Sequence, residues 1–344
     1  MNNQELYMAR CLQLARLGEY YVAPNPMVGA VLVAENGSQI LGEGWHEQYG
    51  CPHAEPNCLR NAEENCPEGV DYKRCTLYVS LEPCSHYGKT PPCAELIVKK
   101  GIGCVVVGCL DPNPKVAGRG VKIMRDAGIK VIVGVLEEEC RELNKRFFCL
   151  QEKKRPYVIL KWAQTADGYI DVRREGALQC CKPHLQPSTP LVISTPLMKQ
   201  LVHQQRAENM AIMVGTNTVL MDNPRLLTTH WSGRNPIRVT LDRHGVLPAE
   251  SKIFSDESET IVYSERTDWE FVLNDLAQRN VHSVLVEGGA TLLNAIIASG
   301  VYDEVHVEVA VDVEVGRGVE APNYIFSTLP QKVDGHCVYV EKHR

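Results

Sequence analysis

Pro83-Cys84-Ser85-His86-Tyr87-Gly88-Lys89-Thr90-Pro91-Pro92-Cys93, set beside His53-Ala54-Glu55, is the stretch on which the reading of this chain turns. One histidine and two cysteines offer the imidazole and thiolate ligands that zinc prefers, and three protein ligands leave a fourth position for water. Bound zinc lowers the pKa of that water toward neutrality. Glu55 stands two residues past the histidine, placed to shuttle protons rather than to bind metal. A structural zinc site would show four ligands with cysteines paired close in sequence. Here eight residues separate Cys84 from Cys93, and proline precedes the first. The pattern reads as a catalytic zinc, one ion per chain, held by His53, Cys84 and Cys93.

The segments around these ligands set the fold. Thr76-Leu77-Tyr78-Val79-Ser80 reads as a strand that delivers Cys84, and His53 heads a helix over about 54–65. Pro91-Pro92-Cys93 opens a helix to about 99, with prolines where a missing N–H costs least. Both metal-binding segments therefore lie at helix N-termini, whose partial positive charge favours thiolate over thiol. Further out, apolar spacing predicts a helix at 3–17 and another at 118–127, with strands at 28–33, 40–44, 104–108 and 130–133. This is an α/β pattern. The order His-x-Glu, Pro-Cys, Cys is the signature of zinc-dependent nucleobase and nucleoside deaminases, so hydrolytic removal of an amine from a heterocycle is expected.

At 344 residues the chain exceeds the usual size of a single core, so two domains are expected. Leu150-Gln151-Glu152-Lys153-Lys154-Arg155-Pro156 is a charged break ending in proline, which divides the chain into 1–150 and 151–344. After it the pattern restarts, with strands at 157–161, 211–215, 237–241, 283–286 and 305–309 and helices at about 196–207, 268–279 and 290–299. It is α/β again, without a second metal constellation or an internal repeat. Apolar residues at 44% and charged residues at 23% suit a soluble globular protein. A net charge of −6, with no basic patch interleaved with aromatics, argues against nucleic acid as a partner. No apolar run is long enough to span a membrane, and the first residues do not read as a signal peptide. The 14 scattered cysteines read as buried small hydrophobes in a reducing, cytoplasmic setting.

One family resembles the chain over nearly its whole length. Pro24-Asn25-Pro26-Met27-Val28-Gly29-Ala30, Gly44-Trp45-His46, His53-Ala54-Glu55, the segment from Pro83 to Cys93, and Leu110-Asp111-Pro112-Asn113-Pro114 resemble the bifunctional riboflavin-biosynthesis deaminase–reductases. So do Leu160-Lys161-Trp162-Ala163, Ala166-Asp167-Gly168, Val214-Gly215-Thr216-Asn217-Thr218, Asp222-Asn223-Pro224 and Val286-Glu287-Gly288-Gly289. The resemblance implies a cytidine-deaminase-like α/β/α domain followed by a dihydrofolate-reductase-like α/β domain. It implies two successive reactions on a small pyrimidine ribosylamine phosphate. The first replaces the exocyclic 2-amino group of 2,5-diamino-6-ribosylamino-4(3H)-pyrimidinone 5′-phosphate by oxygen. The second uses NADPH to reduce the ribosyl group to ribityl. A homo-oligomer, dimer or tetramer, is implied by the resemblance alone.

Site residues follow from both readings. Glu55 would take the proton of the attacking water and pass it to the departing amine. In the Cys84–Cys93 loop, Lys89 is a compact charge for a phosphate or a ring oxygen. Asn25, held between two prolines in an extended turn, would present its amide to the heterocycle, and the resemblance places His46, Asp111 and Asn113 in the same pocket. In the second domain, Gly288 and Gly289 follow a strand and precede a helix, where backbone N–H groups can approach a phosphate. By resemblance Ala163, Thr218 and Asp222 line the NADPH site. Lys161, Arg206, Leu226 and Glu287 would face the substrate, with Arg206 meeting its phosphate. Two departures stand out: Pro224-Arg225-Leu226-Leu227-Thr228-Thr229-His230 lacks the arginine usual shortly after such a segment, with His230 or Arg225 as replacements, and Val192 stands where tryptophan is common. The alternative is a monofunctional zinc deaminase whose second domain does not reduce. A nucleic-acid-editing deaminase conflicts with the acidic balance, and a zinc-stabilised scaffold with the presence of Glu55.

Overall fold

Asn2 and Glu5 start the first helix by satisfying each other's main chain, Glu5 N–H donating to Asn2 Oδ1 and Asn2 N–H to Glu5 Oε2, both at 3.0 Å. The computed structural model that this capping box opens describes residues 2–35, 37, 39–87, 91–113, 117–174, 190–256 and 258–343. Lys89 and the adjacent Cys180 and Cys181 lie outside the described residues. The chain forms two compact units, Met1–Lys154 and Arg155–Arg344.

The first unit runs α1 (Asn3–Arg16), β1 (Gly29–Val33), β2 (Ile40–Trp45), α2 (Ala54–Asn65), β3 (Thr76–Leu81), α3 (Cys93–Lys100), β4 (Cys104–Cys109), α4 (Arg119–Asp126), β5 (Lys130–Val133), α5 (Glu137–Leu143) and α6 (Lys145–Lys153). Its sheet has the order β2-β1-β3-β4-β5, with β1 antiparallel to both neighbours and β3, β4 and β5 parallel. Residues of α2, α3 and α4 pack on one face around Leu32, Leu77, Val79 and Val105. Residues of α1, α5 and α6 cover the other around Val31, Val33, Tyr78 and Val106. The strands are apolar on both sides because both sides are covered, and the result is a three-layer α/β/α unit.

Two glycines decide how close the catalytic helix comes. A Cβ on Gly42 would fall 2.5 Å from Cys58 O, and one on Gly44 would fall 2.3 Å from Cys58 N. Glycine at these two alternate positions of β2 therefore lets α2 lie against the strand. The start of β1 and the ends of β2, β3 and β4 then share one edge of the sheet, where ligand crevices of α/β folds form.

The second unit runs β6 (Tyr157–Thr165), β7 (Tyr169–Val172), α7 (Pro196–Glu208), β8 (Ala211–Val214), α8 (Thr216–Asp222), β9 (Ile237–Leu241), β10 (Thr260–Tyr263), α9 (Trp269–Gln278), β11 (Ser283–Glu287), α10 (Ala290–Ser299), β12 (Glu304–Ala310), β13 (Gly318–Glu320), β14 (Gln331–Val333) and β15 (His336–Lys342). Its eight-stranded sheet has the order β10-β9-β8-β11-β6-β12-β15-β14, with β7 and β13 in a separate pair. The first six of these strands are parallel, and β15 and β14 add antiparallel at one end. One face carries the main core, Leu160, Met213, Val286 and Val307 packing against Val272 and Leu276 of α9 and Leu293 and Ile296 of α10. Polar contacts tie α7 to side chains of the opposite face, including Arg206 to Glu287 and Gln205 to His306.

The α/β reading holds in both units, and the helix at 54–65 and the strand at 130–133 fall as expected. The periodicity does not single out α5, α6, α8, β7, β10, β13, β14 or β15, which are short or strongly polar. Every cysteine among the described residues is free of disulfide bonds, and seven of them are buried. Among the described residues no helix is long and apolar enough to cross a membrane.

Candidate active sites

His53 is the N-cap residue of α2, Cys84 follows β3, and Cys93 is the first residue of α3. Three separate segments thus deliver the three ligands to one point. His53 Nδ1 lies 3.7 Å from Cys84 Sγ and 3.5 Å from Cys93 Sγ, and the three ligand atoms lie within 4.8 Å of one another. The Cys93 N–H donates to Cys84 Sγ at 3.3 Å. The Cys93 thiol, and after it His53, draw the Cys84 thiol down to about 4 against the effect of burial, while Cys93 itself is pushed up. A thiolate, a second sulfur and an imidazole nitrogen at this spacing suit zinc.

Glu55 occupies the first turn of α2 and is only 3% exposed. Burial, reinforced by the charge on Cys84, pushes its carboxyl above the usual carboxylate range. A carboxyl with raised proton affinity beside a metal site is equipped to take up and release a proton.

His46 and Asn25 form the next layer. The Pro52 carbonyl can only accept, so His46 Nδ1 carries the hydrogen across the 3.0 Å contact. His46 Nε2 is then the acceptor, and Asn25 Nδ2 donates to it at 3.0 Å. This fixes the Asn25 amide with its oxygen as the free end. Burial lowers the His46 pKa, in keeping with a neutral ring, and the ring meets His53 edge-on at 5.3 Å between centroids. Asp111, beyond β4, accepts from the Asn113 N–H through Oδ1 at 2.8 Å, and burial raises its pKa. The structure thus gathers Asn25, His46, His53, Glu55, Cys84, Cys93, Asp111 and Asn113 along one edge of the sheet; Lys89 lies outside the described residues.

In the second unit a cavity of about 1210 Å³ is lined by Lys161, Ala163, Arg206 and Glu287, and also by Thr218, Asp222, Gly288 and Gly289. Lys161 and Glu287 are cross-strand partners of β6 and β11. Burial lowers the Lys161 pKa, with Glu287 opposing it. Arg206 of α7 grips Glu287 with two bonds, Nε to Oε1 at 2.9 Å and an NH2 nitrogen to Oε2 at 2.6 Å, and donates a third to Leu227 O at 3.1 Å. Burial works against the Glu287 charge, but Arg206 holds its pKa below the ordinary value. Arg206, expected to face the substrate and meet its phosphate, lines the cavity with Nε and one terminal nitrogen bonded to Glu287.

At the other end of the cavity the Gly289 N–H donates to Thr218 Oγ1 at 3.2 Å. Gly289 is the N-cap residue of α10, and the glycine pair keeps that helix start open to a phosphate. Asp222 pairs with Arg174 at 2.6 Å. Leu226, expected to face the substrate, has φ 57, and its side chain is buried with Ile212, Val214, Val219 and Ile253. Of the residues at the departures, Val192 lines the cavity and is 65% exposed. His230 meets the ring of His203 at 4.7 Å, and His203 is itself a cavity residue.

Several site residues escape the sequence. His203, Arg174 and Arg243 line the cavity without belonging to a motif. In the first unit Asn144, between α5 and α6, accepts from the Met27 N–H and donates to Met27 O, both at 2.8 Å, so it clamps the loop that carries Asn25. Glu82 was discoverable as a carboxylate ending an apolar strand next to Pro83-Cys84.

Known proteins match both units. Residues 1–109 match the family model of the cytidine and deoxycytidylate deaminase zinc-binding region, and residues 156–313 match that of the RibD C-terminal domain. The riboflavin biosynthesis protein RibD of Synechocystis sp. is 39% identical over 98% of this chain and 94% of its own length. Among solved structures, Acinetobacter baumannii RibD has 33% identity and a TM-score of 0.85, covering 98% of each chain. A Thermotoga maritima diaminohydroxyphosphoribosylaminopyrimidine deaminase/5-amino-6-(5-phosphoribosylamino)uracil reductase has 36% identity and a TM-score of 0.84, covering 99% of each. A zinc-binding deaminase unit joined to an NADPH-dependent reductase unit, similar in sequence and in fold to these proteins along nearly its full length, places this chain in the RibD family of bifunctional riboflavin-biosynthesis enzymes.

Proposed function

We propose that residues 1–154 deaminate 2,5-diamino-6-ribosylamino-4(3H)-pyrimidinone 5′-phosphate, and that residues 155–344 then reduce the ribosyl group of the product to ribityl. The observation that carries this reading is the buried Glu55 beside a His53, Cys84 and Cys93 donor set. Zinc, when bound, supplies an activated water as nucleophile. Glu55 takes the proton of that water and returns it to the amine, which leaves as ammonia. Asn25, oriented by His46, offers its amide oxygen to a ring N–H or amino group. Asp111, Asn113 and Lys89 complete the substrate pocket.

In the reductase unit NADPH, when bound, supplies a hydride to the anomeric carbon. Opening the sugar also requires a proton at the ring oxygen. Lys161, made a stronger acid by burial, is the group suited to give it. Glu287, held by Arg206, keeps a negative charge beside Lys161. Ala163, Thr218, Asp222, Gly288 and Gly289 take the cofactor, and Leu226 meets the substrate through its main chain. The same reading expects a cytoplasmic homo-oligomer, dimer or tetramer, which sedimentation would test.

Supplying the diaminopyrimidinone with and without NADPH tests the assignment. Ammonia release without NADPH, followed by NADPH oxidation coupled to the deaminated product, is the expected result. Ammonia release with no NADPH consumption would sink the bifunctional reading in favour of a deaminase alone.

A further inference from the structure

Helix α4 begins without a cap of its own. Its N-cap residue is Gly118, which has no side chain and a φ of 76°, and no local side chain accepts from the first turn. The orphan N–H groups are instead met from another strand end. Glu82, only 4% exposed, follows β3. Its Oε2 accepts from Gly118 N–H at 2.9 Å and its Oε1 from Val121 N–H at 3.2 Å. The same Oε2 accepts from Asp111 N–H at 3.2 Å. The approach is close enough that a Cβ on Gly120 would fall 2.1 Å from Pro83 O and 3.3 Å from Glu82 Oε1.

One carboxylate therefore ties three points of the main chain to the residue two before the zinc ligand Cys84. A buried carboxylate is acceptor-only, and N–H donors aimed at a charged oxygen make stronger bonds than neutral pairs. The anion also faces the positive end of α4. Asp111 follows β4 and Cys84 follows β3, and these neighbouring parallel strands end with Leu81 opposite Cys109, so the segment that Glu82 pins borders the metal site.

We infer that Glu82 is a positioning residue of the deaminase site: by capping α4 from β3 it fixes Asp111 and Asn113 relative to the ligand Cys84. The inference rests on the proposed place of Asp111 in the substrate pocket. Glu82 touches neither substrate nor metal; it sets where the pocket's second wall stands.

The test uses the zinc-loaded full chain. Glu82→Gln keeps the shape but loses the charge and one acceptor. Its deamination KM should rise about tenfold or more, with kcat changed far less, one zinc retained per chain and reductase kinetics unaltered. Asp111→Asn should raise the same KM. The double variant should raise KM by less than the product of the two single effects, because Glu82 acts in part through Asp111. A wild-type KM in Glu82→Gln while Asp111→Asn raises it, or additive effects in the double variant, would overturn the positioning role. A wild-type KM in Asp111→Asn would instead remove Asp111 from the pocket, and the role of Glu82 with it. If Glu82→Gln does not fold, Glu82→Asp, which keeps the charge and shortens the reach, must show the rise in KM; a wild-type KM there overturns the inference equally.

Discussion

The two sites solve opposite problems. The deaminase site is compact: three ligand atoms within 4.8 Å of one another and a carboxyl with 3% exposure, each delivered by a helix start or a strand end. The reductase site is a cavity of about 1210 Å³ whose lining includes two ion pairs, Arg206 with Glu287 and Arg174 with Asp222. A metal site must bring a few donors to a point, so its chemistry is concentrated in residue types and spacings. A site for a dinucleotide and a phosphorylated sugar must hold open a large volume, so its chemistry is spread over many walls.

The contrast can be broken most decisively at Glu55. Replacement by Gln should cost deamination about 10²–10⁴-fold while zinc content and NADPH oxidation on the deaminated intermediate stay normal; parallel loss of both activities would show that the sites are not separable. Glu287→Gln is the counterpart in the cavity. It leaves Arg206 without its partner, and chemical denaturation of the second unit should report a loss on the order of 3 kcal/mol together with loss of reduction, but with unchanged ammonia release. Gly44→Ala asks whether the compact site depends on backbone approach. The added methyl would meet the main chain of α2 at Cys58, and the first unit should lose about 1–3 kcal/mol in thermal or denaturant unfolding, with weaker zinc retention.

The smallest effect concerns acid. Burial, and after it the charge of Arg206, lowers His203 to about 4, against about 6.5 in an unfolded chain. Above pH 6.5 both states are neutral there and the residue contributes nothing to pH dependence. Between about 6.5 and 4 the unfolded chain takes a proton that the folded chain refuses, so stability falls as the pH drops. His203→Gln should flatten that part of the stability profile of the second unit, and an unchanged slope would remove His203 as its source.

How much of this was legible in the sequence follows from the same contrast. His53, Glu55, Cys84 and Cys93 were readable because zinc accepts few donors in few spacings, and the strands and helices beside them carry plain periodicity. At Leu226 motif neighbours say nothing of side-chain direction: the residue has a positive φ and its side chain lies in an apolar cluster. The occupied fork of Arg206 could not be foreseen, since its partner Glu287 lies 81 residues away in the chain. Asn144 escapes for a related reason: it bonds to the main chain of a distant loop, where the partner's residue type leaves no trace. Strand β15 was missed because, near one end of the sheet, it alternates polar and apolar residues too weakly to stand apart from a loop.

The order of strands in the second sheet has a consequence for how the polypeptide is made. The strand β6 leaves the ribosome first in its unit, yet its partners β11 and β12 are among the last segments to emerge. The Arg155 bond to Asp303 spans the same interval. At translation rates of about 5–20 residues per second, Tyr157-Val158-Ile159-Leu160 stays without its neighbours for on the order of ten seconds. The strands of the first sheet, by contrast, are all synthesised by Val133. Nascent chains of this protein should therefore carry a finished deaminase unit and an unfinished reductase, and it is the apolar start of β6 that a chaperone would need to shield.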